Sequence, residues 1–444
     1  MKLVVNGTVV TFNDEKEVIK NGGVLIEGDE IIAVGDGNKL QENHPQAEII
    51  DAENGVIMPG LINSHMHFYS TFARGMDLKT DEPPGGFVEI LEKLWWRLDE
   101  TLSTEDDLYY SAVYALLEGV ENGTTTVFDH HASYGLIEGS LDILRQAVED
   151  VGLRASLCFE VSDRHGEEAR EKSLQENIRF LESINEQESS YLAGKMGMHA
   201  SFTVDEKTLE KSAEIIENFD VPLHLHVAEG RADVEDSQKR GYKNIVERLD
   251  KYGLWRPGTL AVHGVHLTPQ EYKFLADKDC FLIHNPQSNM SNAVGTADLL
   301  TAREAGLDIG LGTDGYTTDM WESLKAADLI PSHQTGNPGA GGGMAEWMLF
   351  DVNSQLAEEV FGQKLGSLEA GAAADLIIAD YDPPTPFEQD NLSAHLLMGI
   401  SGGDIVTTIA RGKIIMKDRE VQVLNNDKIR RQCREQARDV WKRF

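Results

Sequence analysis

The chain has 444 residues, 41% of them hydrophobic, and a formal net charge of −35 from 40 Lys+Arg against 75 Asp+Glu. This length and apolar content support a large folded core and exclude disordered and fibrous classes. A surface this acidic repels phosphate backbones and anionic headgroups, so neither nucleic acid nor membrane is an expected partner. The acidic excess is spread along the chain, as suits a solvated surface in saline or alkaline surroundings.

Cys158, Cys280 and Cys433 are odd in number and far apart, without a C-x-x-C pair, which suits a reducing compartment. The opening Met1-Lys2-Leu3-Val4-Val5-Asn6-Gly7 breaks its apolar run at once, and no apolar span of roughly 18 residues follows. The expected location is the cytoplasm.

Short strands are predicted at 2–10, 23–26 and 30–34, with turns at Asp36-Gly37 and Asn54-Gly55. From Met58 onward, short apolar runs alternate with amphipathic segments. Eight such runs lie at 61–65, 124–129, 154–160, 195–199, 222–226, 259–263, 281–285 and 308–314. Eight parallel strands close a (β/α)8 barrel. Helices are predicted at 167–186, 205–219, 233–252 and 345–361, and 336–343 reads as a mobile glycine-rich loop without the Lys-Ser/Thr of a phosphate loop. Strand patterns return at 374–378, 406–410 and 413–416, before an amphipathic helix at 427–441. The expected fold is α/β: a TIM-type barrel over 59–366, with a small β-sandwich domain built from both chain ends, 1–58 and 367–444.

The chemistry concentrates where the barrel runs end. His65-Met66-His67 places two imidazoles on one side of a strand, because strand side chains alternate with period 2. Neutral imidazoles so paired can share a Zn²⁺ or Fe²⁺ ion. His226, His263 and Asp314 end three further runs, at the strand ends where barrel active sites are built. Three His and one carboxylate with an open position make a catalytic metal site that acidifies water. Asp314 is placed to accept that water's proton, Glu229 to carry it to a ring nitrogen or leaving group, and His263 to orient the water or stabilise developing charge.

These motifs resemble the amidohydrolase superfamily, in its mononuclear deaminase and chlorohydrolase branch. The resemblance rests on Pro59-Gly60-Leu61-Ile62-Asn63-Ser64-His65-Met66-His67, His226-Val227-Ala228-Glu229, Val262-His263-Gly264, His284-Asn285-Pro286-Gln287-Ser288-Asn289 and Gly312-Thr313-Asp314. It implies that His65, His67, His226 and Asp314 hold one divalent metal, Zn²⁺ or Fe²⁺. It also implies that Glu229 is the proton shuttle, His263 a catalytic histidine, and a homodimer the assembly. Leu94-Trp95-Trp96-Arg97-Leu98-Asp99, Cys158-Phe159-Glu160 and His199-Ala200-Ser201-Phe202-Thr203 are similar, more narrowly, to the SsnA-type aminohydrolases. Binuclear relatives carry a carboxylated lysine at the fourth strand; here that strand ends in His199, which favours a single metal.

Candidate substrate contacts are Trp95, by stacking on a flat ring, and Arg97, by pairing with an exocyclic oxygen. His199, one of His130 and His131, and the amides Gln287 and Asn289 complete the set. Glu160, Asp163 and Arg164 form a second rank. The expected function is metal-dependent hydrolytic deamination of a purine- or pterin-like heterocycle with release of ammonia. Its rivals are dechlorination or cyclic-amide opening at the same site, and a non-catalytic assembly role. Glu229 favours deamination, because a leaving amine needs a proton and chloride does not.

Overall fold

The computed structural model describes residues 1–187 and 189–444. The chain begins with β1 (Lys2–Val10), β2 (Val18–Glu27), β3 (Glu30–Asp36), β4 (Glu48–Asp51) and β5 (Val56–Pro59). Val4 and Val9 stand an odd number of residues apart, so regular alternation would send them to opposite faces. Register shifts on either side of Gly7, beside Asn6 at φ 59°, return both to one core with Ile57, Leu376 and Ile378. Leu3 and Val5 pack on the other side with Leu25 and Ala47.

The barrel follows: β6 (Leu61–Met66), β7 (Thr124–His131), β8 (Arg154–Phe159), β9 (Leu192–Gly194), β10 (Met196–Ala200), β11 (Leu223–Val227), β12 (Leu260–His263), β13 (Phe281–His284) and β14 (Asp308–Leu311). All pair in parallel. β9 and β10 are halves of one strand interrupted at Lys195, the first pairing with β8 and the second with β11. Bridges from Met66 to Asp314 and from Val161 to Met198 close the ring of eight. Most of these strands are buried at every residue, because both faces of the barrel wall are covered.

The helix Glu206–Phe219 starts where the Asp205 side chain accepts from Thr208 N. The single helix expected at 233–252 is two, Arg231–Lys239 and Ile245–Asp250. Gly241 at φ 89° ends the first, and the Asn244 side chain caps the second. A π-helical turn, Trp347–Val352, interrupts the helix expected at 345–361. Residues 336–343 form a succession of turns.

The chain returns to the first sheet with β15 (Leu376–Ala379), β16 (Ile405–Ala410), β17 (Lys413–Lys417) and β18 (Glu420–Val421). β15 pairs antiparallel with β5, so both ends of the chain make one nine-stranded sheet. Below the barrel, Arg154 Nε donates to Asp375 Oδ2 at 3.0 Å, and Arg411 N donates to Asp375 Oδ1 at 2.9 Å. The last helix, Asn426–Arg443, packs on the helix Glu105–Glu121. Among the described residues no helix is long and apolar enough to cross a membrane.

Candidate active site

His65 lies in β6 and His67 one residue past its end, so alternation turns both rings inward. Phe68 N donates to Asp129 Oδ1 at 2.7 Å, which pins the turn after His67, and His67 Nδ1 meets His130 O. His65 Nδ1 lies 2.8 Å from His224 Nε2. Barrel closure brings Asp314 beside this pair: Thr313 N and Asp314 N both donate to His65 O at 3.0 Å. Only glycine fits at position 312, where a Cβ would stand 2.5 Å from Asn285 Oδ1 and 2.8 Å from His65 O.

Asp314 sits at φ 54° and His263 at φ 76°, backbone that non-glycine residues adopt at a cost of roughly 1–3 kcal/mol. The cost aims both side chains at one point. Asp314 Oδ1 lies 2.9 Å from His67 Nε2 and 3.5 Å from His65 Nε2. Ser288 Oγ donates to Asp314 Oδ2. His263 Nδ1 donates to Asn289 Oδ1 at 2.7 Å, which leaves the Nε2 lone pair facing Glu229 Oε2 at 3.5 Å and Asp314 Oδ2 at 3.8 Å.

His226 is in β11, and Glu229 follows Ala228, which has φ 51°. Asp233 fixes this turn by accepting from Ala228 N at 2.8 Å, and its other oxygen accepts from Phe202 N at 3.0 Å. Asn292 Nδ2 donates to Glu229 Oε1 at 3.2 Å, leaving Oε2 toward His263.

Burial lowers His65 to about 3, although Asp314 pulls it upward. Burial also lowers His67, but the hydrogen bond and charge of Asp314 and then the charge of Glu160 outweigh it and raise His67 to about 9. His199 and His226 are held neutral, well below the usual histidine range, by burial first and neighbouring positive groups second. Burial raises Glu229, His263 opposes it, and the charge of Asp314 adds to the rise. Asp314, Glu160 and Glu229 thus demand positive charge where the imidazoles converge.

The donor set suits a cation. His65 Nε2 and His263 Nε2 are buried without a hydrogen-bond partner. Donor atoms of His65, His67, His130 and His226, and again of His65, His226, His263 and Asp314, lie within 4.8 Å of one another. Neutral imidazoles with one carboxylate are the ligand types that Zn²⁺ and Fe²⁺ accept.

A cavity opens above this cluster, lined by His67, Glu160, His226, Glu229 and Asp314 together with Trp95, Trp96, Arg164 and His199. Trp95 and His199 therefore stand where the sequence places them. Of the histidine pair after the second strand, His130 joins the inner cluster, stacked on His224 with centroids 4.4 Å apart, while His131 Nε2 turns to Ser133 Oγ at 2.8 Å.

Three expected substrate contacts are corrected. Arg97 turns outward, its guanidinium donating to Leu78 O at 2.8 Å and Phe444 O at 2.9 Å. A π-helical turn, Leu91–Trp95, sets this phase, so that Trp95 and Trp96 both reach the cavity and Arg97 does not. Gln287 is tied to the helix Met320–Thr335, through Glu322 Oε2 at 3.2 Å and Ser323 Oγ at 3.0 Å. Asn289 holds His263 and does not read a ring.

Sequence reasoning missed Tyr69, Ser288 and Asn292. Ser288 and Asn292 carry a readable signal, since a helix opened by Pro286 repeats every 3.6 residues and brings the two to one face with Asn292 Nδ2 3.4 Å from Ser288 Oγ. Of the second-rank residues, Glu160 and Arg164 line the cavity; the Arg164 guanidinium lies 4.7 Å over the ring of Trp96, which also lines it, and donates to Asp99 Oδ2 at 3.0 Å.

Comparison with known proteins agrees with this architecture. The model of the "Amidohydrolase family" matches residues 56–415. A 5'-deoxyadenosine deaminase of Methanosarcina mazei is 32% identical over 444 residues, covering 99% of this chain and 98% of the relative. A 5-methylthioadenosine/S-adenosylhomocysteine deaminase of Moorella thermoacetica is 32% identical over 416 residues, covering 93% and 94%. The crystal structure of an adenosine deaminase from Xanthomonas campestris with bound zinc superposes with a TM-score of 0.86 at 20% identity, covering 99% of this chain and 98% of that one. With a match that runs from the start of the barrel almost to the last strands, the chain belongs to the amidohydrolase family.

Proposed function

We propose that the chain is a hydrolytic deaminase of a purine-type heterocycle, of the adenine nucleoside class, that releases ammonia. The observation that carries this reading is Glu229: a buried carboxyl on the cavity wall, held at Oε1 by Asn292 and free at Oε2 between the cavity and His263. The names of the deaminase relatives support the substrate class.

His65, His67, His226 and Asp314 would hold one Zn²⁺ or Fe²⁺ ion, which when bound supplies a water acidic enough to attack at neutral pH. Asp314 Oδ2, within reach of Ser288 Oγ and His263, is placed to take the proton of the attacking water. Glu229 Oε2 gives its proton to the ring nitrogen, as its raised pKa permits, and is reprotonated by the hydroxyl that the water leaves on the ring, while the proton taken by Asp314 departs with the amine as ammonia. His263, locked as the Nδ1–H tautomer by Asn289, accepts from the water at Nε2 and orients it. Trp95 and Trp96 flank the ring and exclude solvent.

We place the enzyme in the cytoplasm, as a homodimer; three buried free thiols suit that compartment. Ammonia release from adenosine, 5'-deoxyadenosine and free purines, with metal content quantified, tests the function. Release from an adenine nucleoside is expected. Silence across the panel at full metal occupancy would overturn the reading.

A further inference from the structure

His199 Nδ1 lies 2.8 Å from Thr203 Oγ1, and the same hydroxyl lies 3.0 Å from Ala200 O. A carbonyl oxygen only accepts, so the single hydroxyl proton goes to Ala200. Thr203 Oγ1 must then accept from His199 Nδ1–H. Asp163 N holds Thr203 O at 2.9 Å, which fixes the segment carrying this hydroxyl. A neutral imidazole carries one N–H, and here it is spent; Nε2 keeps a lone pair in a residue that lines the cavity.

Glu160, just past the end of β8, is a second acceptor on the same wall. Its Oε1 lies 3.3 Å from His67 Nδ1 and 3.4 Å from His130 Nδ1 without a hydrogen bond to either, and one of its oxygens lies within 4.8 Å of a His199 ring nitrogen. A lone pair and a carboxylate side by side on the cavity wall cannot satisfy each other, and both attract the same partner, an N–H donor entering from the cavity. A divalent cation would serve the same two atoms. The primary ion proposed for the site would be held partly by His226, which belongs to the same group of donor atoms, and two like charges so close repel strongly.

We propose that His199 Nε2 and the Glu160 carboxylate form an acceptor edge that binds an N–H donor of the substrate. The preferred ring then carries an amino or N–H group besides the amine that leaves, as in a 2,6-diaminopurine nucleoside. During turnover water adds at C6, the 6-amino group departs as ammonia, and the 2-amino group stays bound to the edge. This deepens the deaminase reading and rests on it.

The test separates the two. Purine riboside and 2-aminopurine riboside lack the leaving amine and differ by one N–H donor group, so their Kd ratio reports the edge while ammonia release reports the chemistry. Wild-type protein loaded with one Zn²⁺ is expected to bind 2-aminopurine riboside at least about tenfold tighter, since sites built for a polar group reject analogues lacking it. Thr203→Val, which frees the His199 tautomer, should bring the ratio toward one, and Thr203→Ser should restore it. Equal affinity in the wild type, or failure to bind either nucleoside, would overturn the acceptor edge. So would a second equivalent of Zn²⁺ bound by the wild type and lost in Glu160→Gln.

Discussion

At the base of the barrel, Arg154 and Asp375 close a buried ion pair at 3.0 Å, and Lys195 Nζ donates to Gly258 O at 3.0 Å. At the rim, His65 Nε2, His263 Nε2 and Glu160 Oε1 stay buried without hydrogen-bond partners, and His263, Asp314 and Ala228 hold positive φ. Strain and unmet polar groups survive only where the surrounding structure enforces them. At the base the charged side chains are paired within the fold, whereas at the rim imidazole nitrogens and a carboxylate oxygen converge on the cavity without hydrogen-bond partners.

Substitutions at the two ends should therefore fail in different ways. Glu229→Gln should retain metal and lose turnover by about a hundredfold to ten-thousandfold, the usual worth of a positioned proton carrier. Activity within about tenfold of wild type would sink the shuttle assignment. Asp375→Ala should leave the Arg154 charge uncompensated and destabilise by about 3–5 kcal/mol. Denaturant unfolding should register that loss, while kcat per folded molecule stays near wild type.

Asn289→Ala should lower kcat by about tenfold to a hundredfold, because His263 loses its tautomer lock, with KM and metal content little changed. Asn289→Asp, which still accepts from Nδ1–H, should recover part of that rate. The smallest effect is expected at Arg97, which sits on the rim side yet donates away from the cavity. Arg97→Ala should leave kcat/KM within about twofold and cost about 1 kcal/mol of stability.

Much of this was legible in the sequence. All eight runs overlap barrel strands, because strands buried on both faces carry apolar residues at successive positions and end in the polar residues of the rim. His65, His67, His226, His263 and Asp314 could be grouped because strand ends converge on one rim whatever the loops do. Arg97, Gln287 and Asn289 could not be placed in that way. Their directions depend on a π-helical turn, on a neighbouring helix and on a histidine tautomer, none of which has a local sequence signature. The acceptor character of His199 was hidden for the same reason, since it hangs on a hydroxyl four residues along.

The sheet shared by the two chain ends also has a temporal meaning. β5 finds its partner β15 only after more than three hundred intervening residues have been made. Until then the nascent strands present an open edge, which invites pairing with other chains. A contact this distant in sequence slows folding, and the sheet can be completed only after the barrel segments between β5 and β15 have been made. The finished protein carries that late step as a lock, because β15 is followed back into the sheet by β16, β17 and β18, and β5 and β15 form the seam between the two sets of strands.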